Sequence, residues 1–187
     1  PGSGVGIPWT GELGPAAADR LGKGGHVLHL WNRTTGKAAA VGVGEVFPAP
    51  EEAVAEVDVA ISILTGPEAV RGVYARLDPR GERIYLEMST AGPEVPEELG
   101  RRFHRLVAAP GVAPPPMLEA GQALFLVGGP SEAIRPGRPV LRALGPGRQA
   151  GTHRPGPART PRPKPVSAPR SWGGTAGAPR GARAAAC

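Results

Sequence analysis

Cysteine is almost missing from this sequence. Cys187, the last of 187 residues, is the only one. Neither an internal disulfide framework nor a thiolate-held metal cluster can be built, and a reducing, cytoplasmic setting is the expectation. Long apolar runs are missing as well. No stretch approaches the roughly 20 residues that a membrane helix needs, and the first residues lack the basic-then-apolar order of a signal peptide. A soluble chain without a membrane partner is predicted. Acidic residues are missing from one end. From Arg148 onward there are eight Lys and Arg and no Asp or Glu, whereas the preceding 147 residues hold 14 basic and 16 acidic groups. The net charge of +6 therefore belongs to the end and not to a folded surface. Because that segment is rich in Pro, Arg and Gly, without interleaved aromatics to stack on bases, no nucleic-acid partner is expected.

Glycine and proline are abundant, at 29 and 24 residues. Beyond about Gly145 they leave no apolar periodicity, so no packed core is expected there. The boundaries drawn are a domain over residues 1–147 and a Pro/Arg/Gly/Ala-rich tail, disordered by composition, over 148–187. Within the domain, short apolar strand candidates alternate with segments of helical spacing. That pattern belongs to the α/β class, a doubly wound, mostly parallel sheet of Rossmann type. Strands are expected at residues 5–7, 26–31, 57–64, 84–88 and 123–127. Helices are expected at 13–23, 50–55, 67–75, 93–106 and 131–144, several with proline in the first turn, where its missing N–H costs nothing.

The first unit is strand, glycine turn (Gly11 and Gly14), helix and strand, in the order and length of a βαβ mononucleotide unit. Backbone N–H groups at such a helix start can hold a pyrophosphate. The second strand ends in Asn32-Arg33-Thr34. A 2′-hydroxyl is commonly held by a carboxylate at this point, whereas a 2′-phosphate calls for cations and neutral donors. The segment therefore favours NADP, although an ordinary solvated Arg33 remains the alternative. Ser89 and Thr90 could bind a ligand or cap the helix that follows.

Taken in order, Gly25-His26, Trp31-Asn32-Arg33-Thr34 with Lys37, the run 58–64 followed by Pro67, Met88-Ser89-Thr90 with Pro93-Glu94, and Glu119-Ala120-Gly121 through Gly128-Gly129 resemble the β-hydroxyacid dehydrogenases. These include the 3-hydroxyisobutyrate dehydrogenases and the glyoxylate and succinic semialdehyde reductases. The resemblance covers about residues 11–145. It implies an NADP-binding domain followed by an all-helical domain that completes the active site and builds a homodimer. It places Thr10, Gly11, Glu12, Leu13 and Gly14 at the pyrophosphate, and Asn32, Arg33 and Thr34 at the 2′-phosphate. Leu64 and Thr65 fall beside the ribose, and Thr90 near the nicotinamide. The implied reaction is hydride transfer between NADP(H) and a small β-hydroxyacid or its aldehyde or keto counterpart.

Three departures from the family pattern lead us to expect an impaired chain and to name no catalytic residue and no metal ligand. The first glycine of Gly-x-Gly-x-x-Gly is Trp9, which is expected either to displace the strand or to block the phosphate. Pro8 before it cannot donate to a central sheet. The family's substrate-loop Ser and Gly are Val112 and Ala113. The family's catalytic lysine falls near Pro161, where Lys164 lies between prolines. A frame-shifted origin for both ends of a GC-rich gene, leaving a truncated enzyme, is the reading these departures suggest. The alternative is a non-catalytic NADP-binding or interaction module.

Overall fold

The computed structural model describes residues 4–151. The chain starts as a parallel unit in which β1 (Gly4–Trp9), α1 (Leu13–Lys23) and β2 (Val27–Asn32) follow one another. It continues through α2 (Thr35–Ala39), β3 (Glu45–Val46) and α3 (Pro50–Ala55) into β4 (Val59–Ser62), α4 (Pro67–Tyr74) and β5 (Ile84–Glu87). Then come α5 (Glu94–Gly100), β6 (Leu106–Ala108), β7 (Gly111–Val112), α6 (Pro115–Glu119), β8 (Leu124–Gly128), α7 (Ser131–Leu144) and β9 (Gly147–Gly151).

The strands lie in the order β3-β2-β1-β4-β5-β6-β8-β7, with β9 on β8. The first six are parallel, and β8 runs against both β6 and β7. This is the doubly wound α/β arrangement expected from the alternating pattern. Alternation along the strands supplies two cores. Val59 and Ile61 of β4, with Ile84 and Leu86 of β5, meet α1 and α7 on one face, while Ala60 and Tyr85 meet α3, α4 and α5 on the other.

Helix bounds agree with the periodicity where one face is strongly apolar. In α7, Ala133, Ile134, Gly137, Val140, Leu141 and Leu144 are buried at helical spacing. Pro136 and Pro139 both fall on its exposed side. Two expectations are corrected. The helix expected over 93–106 ends at Gly100. Phe103 then turns inward against Tyr74 and Tyr85, at 5.1 and 4.8 Å between ring centres, and this returns the chain as β6 beside β5. The boundary at residue 147 also falls short, because β9 pairs with β8 through Gly151. The rest of the expected tail lies outside the described residues.

Trp9 does not displace β1. The β1–β2 register is unbroken from Gly4↔Val27 to Trp9↔Asn32. Pro8 leaves its mark on the other side. The β1–β4 ladder covers Val5 and Gly6, lapses, and resumes at the Trp9↔Ile63 bridge, as expected where a strand residue has no N–H to give. The indole turns inward and is 0% exposed, its Nε1 buried without a hydrogen-bond partner. It lies directly against Gly14, where a β-carbon would fall 2.0 Å from the indole Cγ.

Glycine at 14 is thus required by the ring beneath it. Gly14→Ala should lower stability by about 1–3 kcal/mol through overpacking, and Trp9→Ala alone by about 3–5 kcal/mol. In the Trp9→Ala background the same glycine replacement should become neutral or stabilising, by up to about 1 kcal/mol, since alanine is the better helix residue. Urea unfolding of the four proteins measures this. Equal loss in both backgrounds would show that the ring and the helix do not compete for this space.

Candidate cofactor site

At the carboxyl ends of β1 and β4 the chain leaves toward opposite faces, into α1 and into α4. Ligands enter open α/β sheets in the crevice opened there. Its two rims are latched together. The Thr10 N–H donates to Ile63 O at 2.9 Å. The Thr65 N–H donates to Thr10 Oγ1 at 2.9 Å, and the two hydroxyls lie 3.3 Å apart. Gly11, at φ +85°, makes the turn, and Thr65 Oγ1 would stand only 3.3 Å from a β-carbon placed on it. Glu12 precedes α1, Leu13 opens it, and no side chain caps it. Its first amides therefore have no side-chain acceptor within the protein, and the N-cap position itself is held by an exposed acid, Glu12. These features fit a pyrophosphate. The second objection to Trp9 also falls away, because its ring occupies the core and not the mouth.

The end of β2 is divided between structure and surface. Asn32 is buried. Its Nδ2 donates to Trp9 O at 3.0 Å, and its Oδ1 accepts the Thr34 N–H at 2.8 Å. Both ends of the amide are committed within the protein, so Asn32 shapes the loop and leaves Arg33 and Thr34 as its exposed groups. Leu64 is a core residue whose backbone N–H donates to Ser89 Oγ at 2.9 Å. Thr90 is exposed beyond β5. Neither Ser89 nor Thr90 caps α5, which begins after Pro93 with no side-chain cap.

A buried polar cluster beneath these loops was not anticipated from the sequence. Glu87 is 1% exposed. Its Oε1 accepts the Ser89 N–H at 2.7 Å and its Oε2 meets Ser62 Oγ, which lies 2.9 Å from Tyr74 Oη. Burial pushes the Glu87 carboxyl above its ordinary range, against the opposing effect of the Ser62 and Ser89 hydrogen bonds. Burial also pushes Tyr74 well up, and the adjoining Glu87 carboxyl adds to it. The available signal was a polar residue at the inward position of two apolar strands, Ser62 in β4 and Glu87 in β5.

The substrate-loop segment forms β7 at Gly111–Val112 and pairs with β8. The prolines after it serve as the start of α6. Lys164 lies outside the described residues. Among the described residues, no group of three or more His, Cys, Asp or Glu could hold a metal ion. A cavity of about 510 Å³ opens at the opposite edge, beside Val57, Asp58 and Ile84. That edge holds the amino ends of β4 and β5, away from the crevice.

A parallel sheet in this order, with a glycine turn and an uncapped helix start at its switch point, defines a dinucleotide-binding α/β domain. Over residues 5–151 the chain matches the family described as the NAD binding domain of 6-phosphogluconate dehydrogenase, and it belongs to that family. It is 30% identical over 156 residues to the NAD-dependent L-serine dehydrogenase of Pseudomonas aeruginosa, covering 72% of this chain and 49% of that protein. The structure of Mycobacterium tuberculosis 3-hydroxyisobutyrate dehydrogenase with L-serine superposes with a TM-score of 0.70 at 26% identity, over 78% of this chain and 53% of that one. A reductive aminase from Aspergillus terreus, in complex with NADPH and ethyl levulinate, gives 0.73 at 25% identity, over 81% and 56%. The chain spans a third to a half of the length of the curated relatives it matches.

The two bonds of Asn32 tie the end of β1 to the loop after β2. Asn32→Ala should therefore lower stability by about 1–3 kcal/mol, since it strands a buried carbonyl, and should deprotect the Thr34 amide. Urea unfolding with amide exchange reads both. An unchanged Thr34 amide would show that the loop holds its shape without Asn32.

Proposed function

We propose that this domain binds NADP(H) in the crevice between β1 and β4, as the cofactor-holding part of an oxidoreductase. The reaction is hydride transfer between the cofactor and a small β-hydroxyacid or its aldehyde or keto counterpart. The cofactor would supply the hydride, and the protein its position and electrostatic surroundings. Gly11, Leu13 and Gly14, with Thr10 and Glu12 beside them, would border the pyrophosphate. Leu64 and Thr65 would border the ribose, and Thr90 the nicotinamide end.

The observation that carries the NADP preference is the exposed pair Arg33 and Thr34 at the end of β2. A guanidinium and a hydroxyl suit a 2′-phosphate, and the loop between β2 and α2 contains no carboxylate. The similar proteins include one named NAD-dependent and one whose structure holds NADPH, so the preference rests on this chain's own residues. Arg33→Ala should weaken NADPH binding by about 1.5–3 kcal/mol, the worth of a hydrogen bond to a charged group, while NADH binding changes little. Fluorescence titration with each cofactor tests it. Equal loss for both cofactors, or tighter NADH binding by the unmodified chain, would refute the preference.

We further propose that the chain binds cofactor better than it turns substrate over. Positions 112 and 113 are Val and Ala, which offer no hydroxyl and no glycine to a substrate carboxylate, and loss of positioned polar groups costs rate steeply. NADPH oxidation with glyoxylate, succinic semialdehyde or the 3-hydroxyisobutyrate pair should be at or below detection where NADPH binding is measurable. That outcome would also describe a non-catalytic cofactor-binding module. Robust turnover would defeat this second proposal.

A further inference from the structure

We propose that Glu87 is an uncharged positioning residue, a buried carboxylic acid that fixes Ser89 and, through it, the latch at the mouth of the cofactor crevice. Its bearing on cofactor binding rests on the function proposed above. Its bearing on the loops rests on a chain of contacts. Glu87 Oε1 accepts the Ser89 N–H at 2.7 Å, and Ser89 Oγ accepts the Leu64 N–H at 2.9 Å. The next residue, Thr65, donates its N–H to Thr10 Oγ1 at 2.9 Å, and Thr10 leads into the Gly11 turn. One buried carboxyl thus stands at the root of a series that crosses β5, β4 and β1 at their carboxyl ends.

Hydrogen-bond accounting accommodates the neutral form, with the Ser62–Glu87 bond running from the acid to the hydroxyl. The Glu87 proton on Oε2 goes to Ser62 Oγ. The Ser62 proton turns to Leu86 O, a long contact of 3.5 Å, and the Tyr74 proton goes to the second lone pair of Ser62 Oγ. Every donor has an acceptor. The ionised form would leave a charge that is 1% exposed with no cation among its bonded partners, and such burial is costly. The titratable group facing it is Tyr74 from α4, which cannot supply a counter-charge. From β4 the facing group is Ser62. Tyr85, two residues back on the same strand, is taken up by Asp78 O and Arg83. Just beyond β6, Ala109 gives only a backbone N–H to Glu87 O, at 2.7 Å.

The direction of the pH dependence follows. Burial raises the Glu87 carboxyl above its ordinary value of 4.5. The neutral acid therefore contributes stability that is fully present below 4.5 and is lost as pH rises through the elevated folded value. The contacts that loosen should be those that Glu87 holds.

The test uses the full chain, Glu87→Gln and Glu87→Leu, with amide protection at Ser89, Leu64 and Thr65 corrected for intrinsic exchange and followed from acid to mild alkali. In the native chain, protection at these three amides should fall with rising pH relative to Leu28 and Leu30. Glu87→Gln, which keeps an acceptor and a donor but cannot ionise, should hold it constant. Glu87→Leu should lower it about tenfold at every pH, the size of one lost buried hydrogen bond. Should the leucine variant fail to fold, the native and glutamine profiles still decide. A glutamine variant with the native pH dependence, native protection that does not change with pH, or a leucine variant as protected as the native chain would overturn the proposal. NADPH titration in parallel should show affinity falling with pH in the native chain and not in Glu87→Gln. A native chain that binds no NADPH would refute the proposed function, while the exchange profiles would still decide the role of Glu87.

Discussion

The close approach of α1 to the end of β1 is the constraint from which the site follows. The Trp9 ring fills the space under the first turn of the helix, and Gly14 is where the helix tolerates it. In a dinucleotide-binding turn, small residues let backbone come near phosphate and helix come near strand. Here the two requirements have separated. The residue at the strand end is large and faces the core, while Gly11 and Gly14 keep the turn tight and the helix close. The uncapped amides of α1 thus remain at the mouth of the crevice although the first glycine is gone. The cost is an indole N–H without a partner, of the order of 1–3 kcal/mol for a buried unsatisfied donor, offset by one of the largest buried side chains of the domain.

Around that contact the strand ends are held by short polar bonds. Asn32 joins β2 to β1 through Trp9 O, the Thr10 and Thr65 pair joins β1 to β4, and Ser89 joins β4 to the end of β5. These bonds lie where the ladders stop and the strands diverge toward their helices, so they set the width of the crevice. The β1–β4 ladder is also interrupted at Pro8. The Thr10 and Thr65 pair accordingly shares that junction with two backbone bonds, Thr10 N–H to Ile63 O at 2.9 Å and Ile63 N–H to Pro8 O at 3.2 Å.

Legibility in the sequence followed the strength of the local pattern. The helices Leu13–Lys23, Pro50–Ala55 and Ser131–Leu144 were readable because proline starts, glycine stops or a sustained apolar face marked them. The segments β3, β7, α2 and α6 are two to five residues long, too short to show any period. The helix expected to continue to residue 106 failed because the decisive contact, Phe103 on Tyr74 and Tyr85, is formed with residues distant in the chain. At the site, residue identity was readable but orientation was not. Trp9 reads as an obstruction because a sequence does not say which way a ring turns, and Asn32 reads as a neutral donor to a 2′-phosphate for the same reason.

The division of labour at the end of β2 bears on how such a site can change. Asn32 holds the loop through two bonds to backbone, while Arg33 and Thr34 stand in solvent with no part in the core. Substitutions at the exposed pair can exchange cation for carboxylate without disturbing packing, whereas substitutions at Asn32, Trp9 or Gly14 alter the frame itself. On the function proposed above, cofactor choice would fall to residues that contribute little to stability, and the shape of the crevice to residues that contribute much. Similarity both to a protein named NAD-dependent and to a structure holding NADPH is what such a separation would permit.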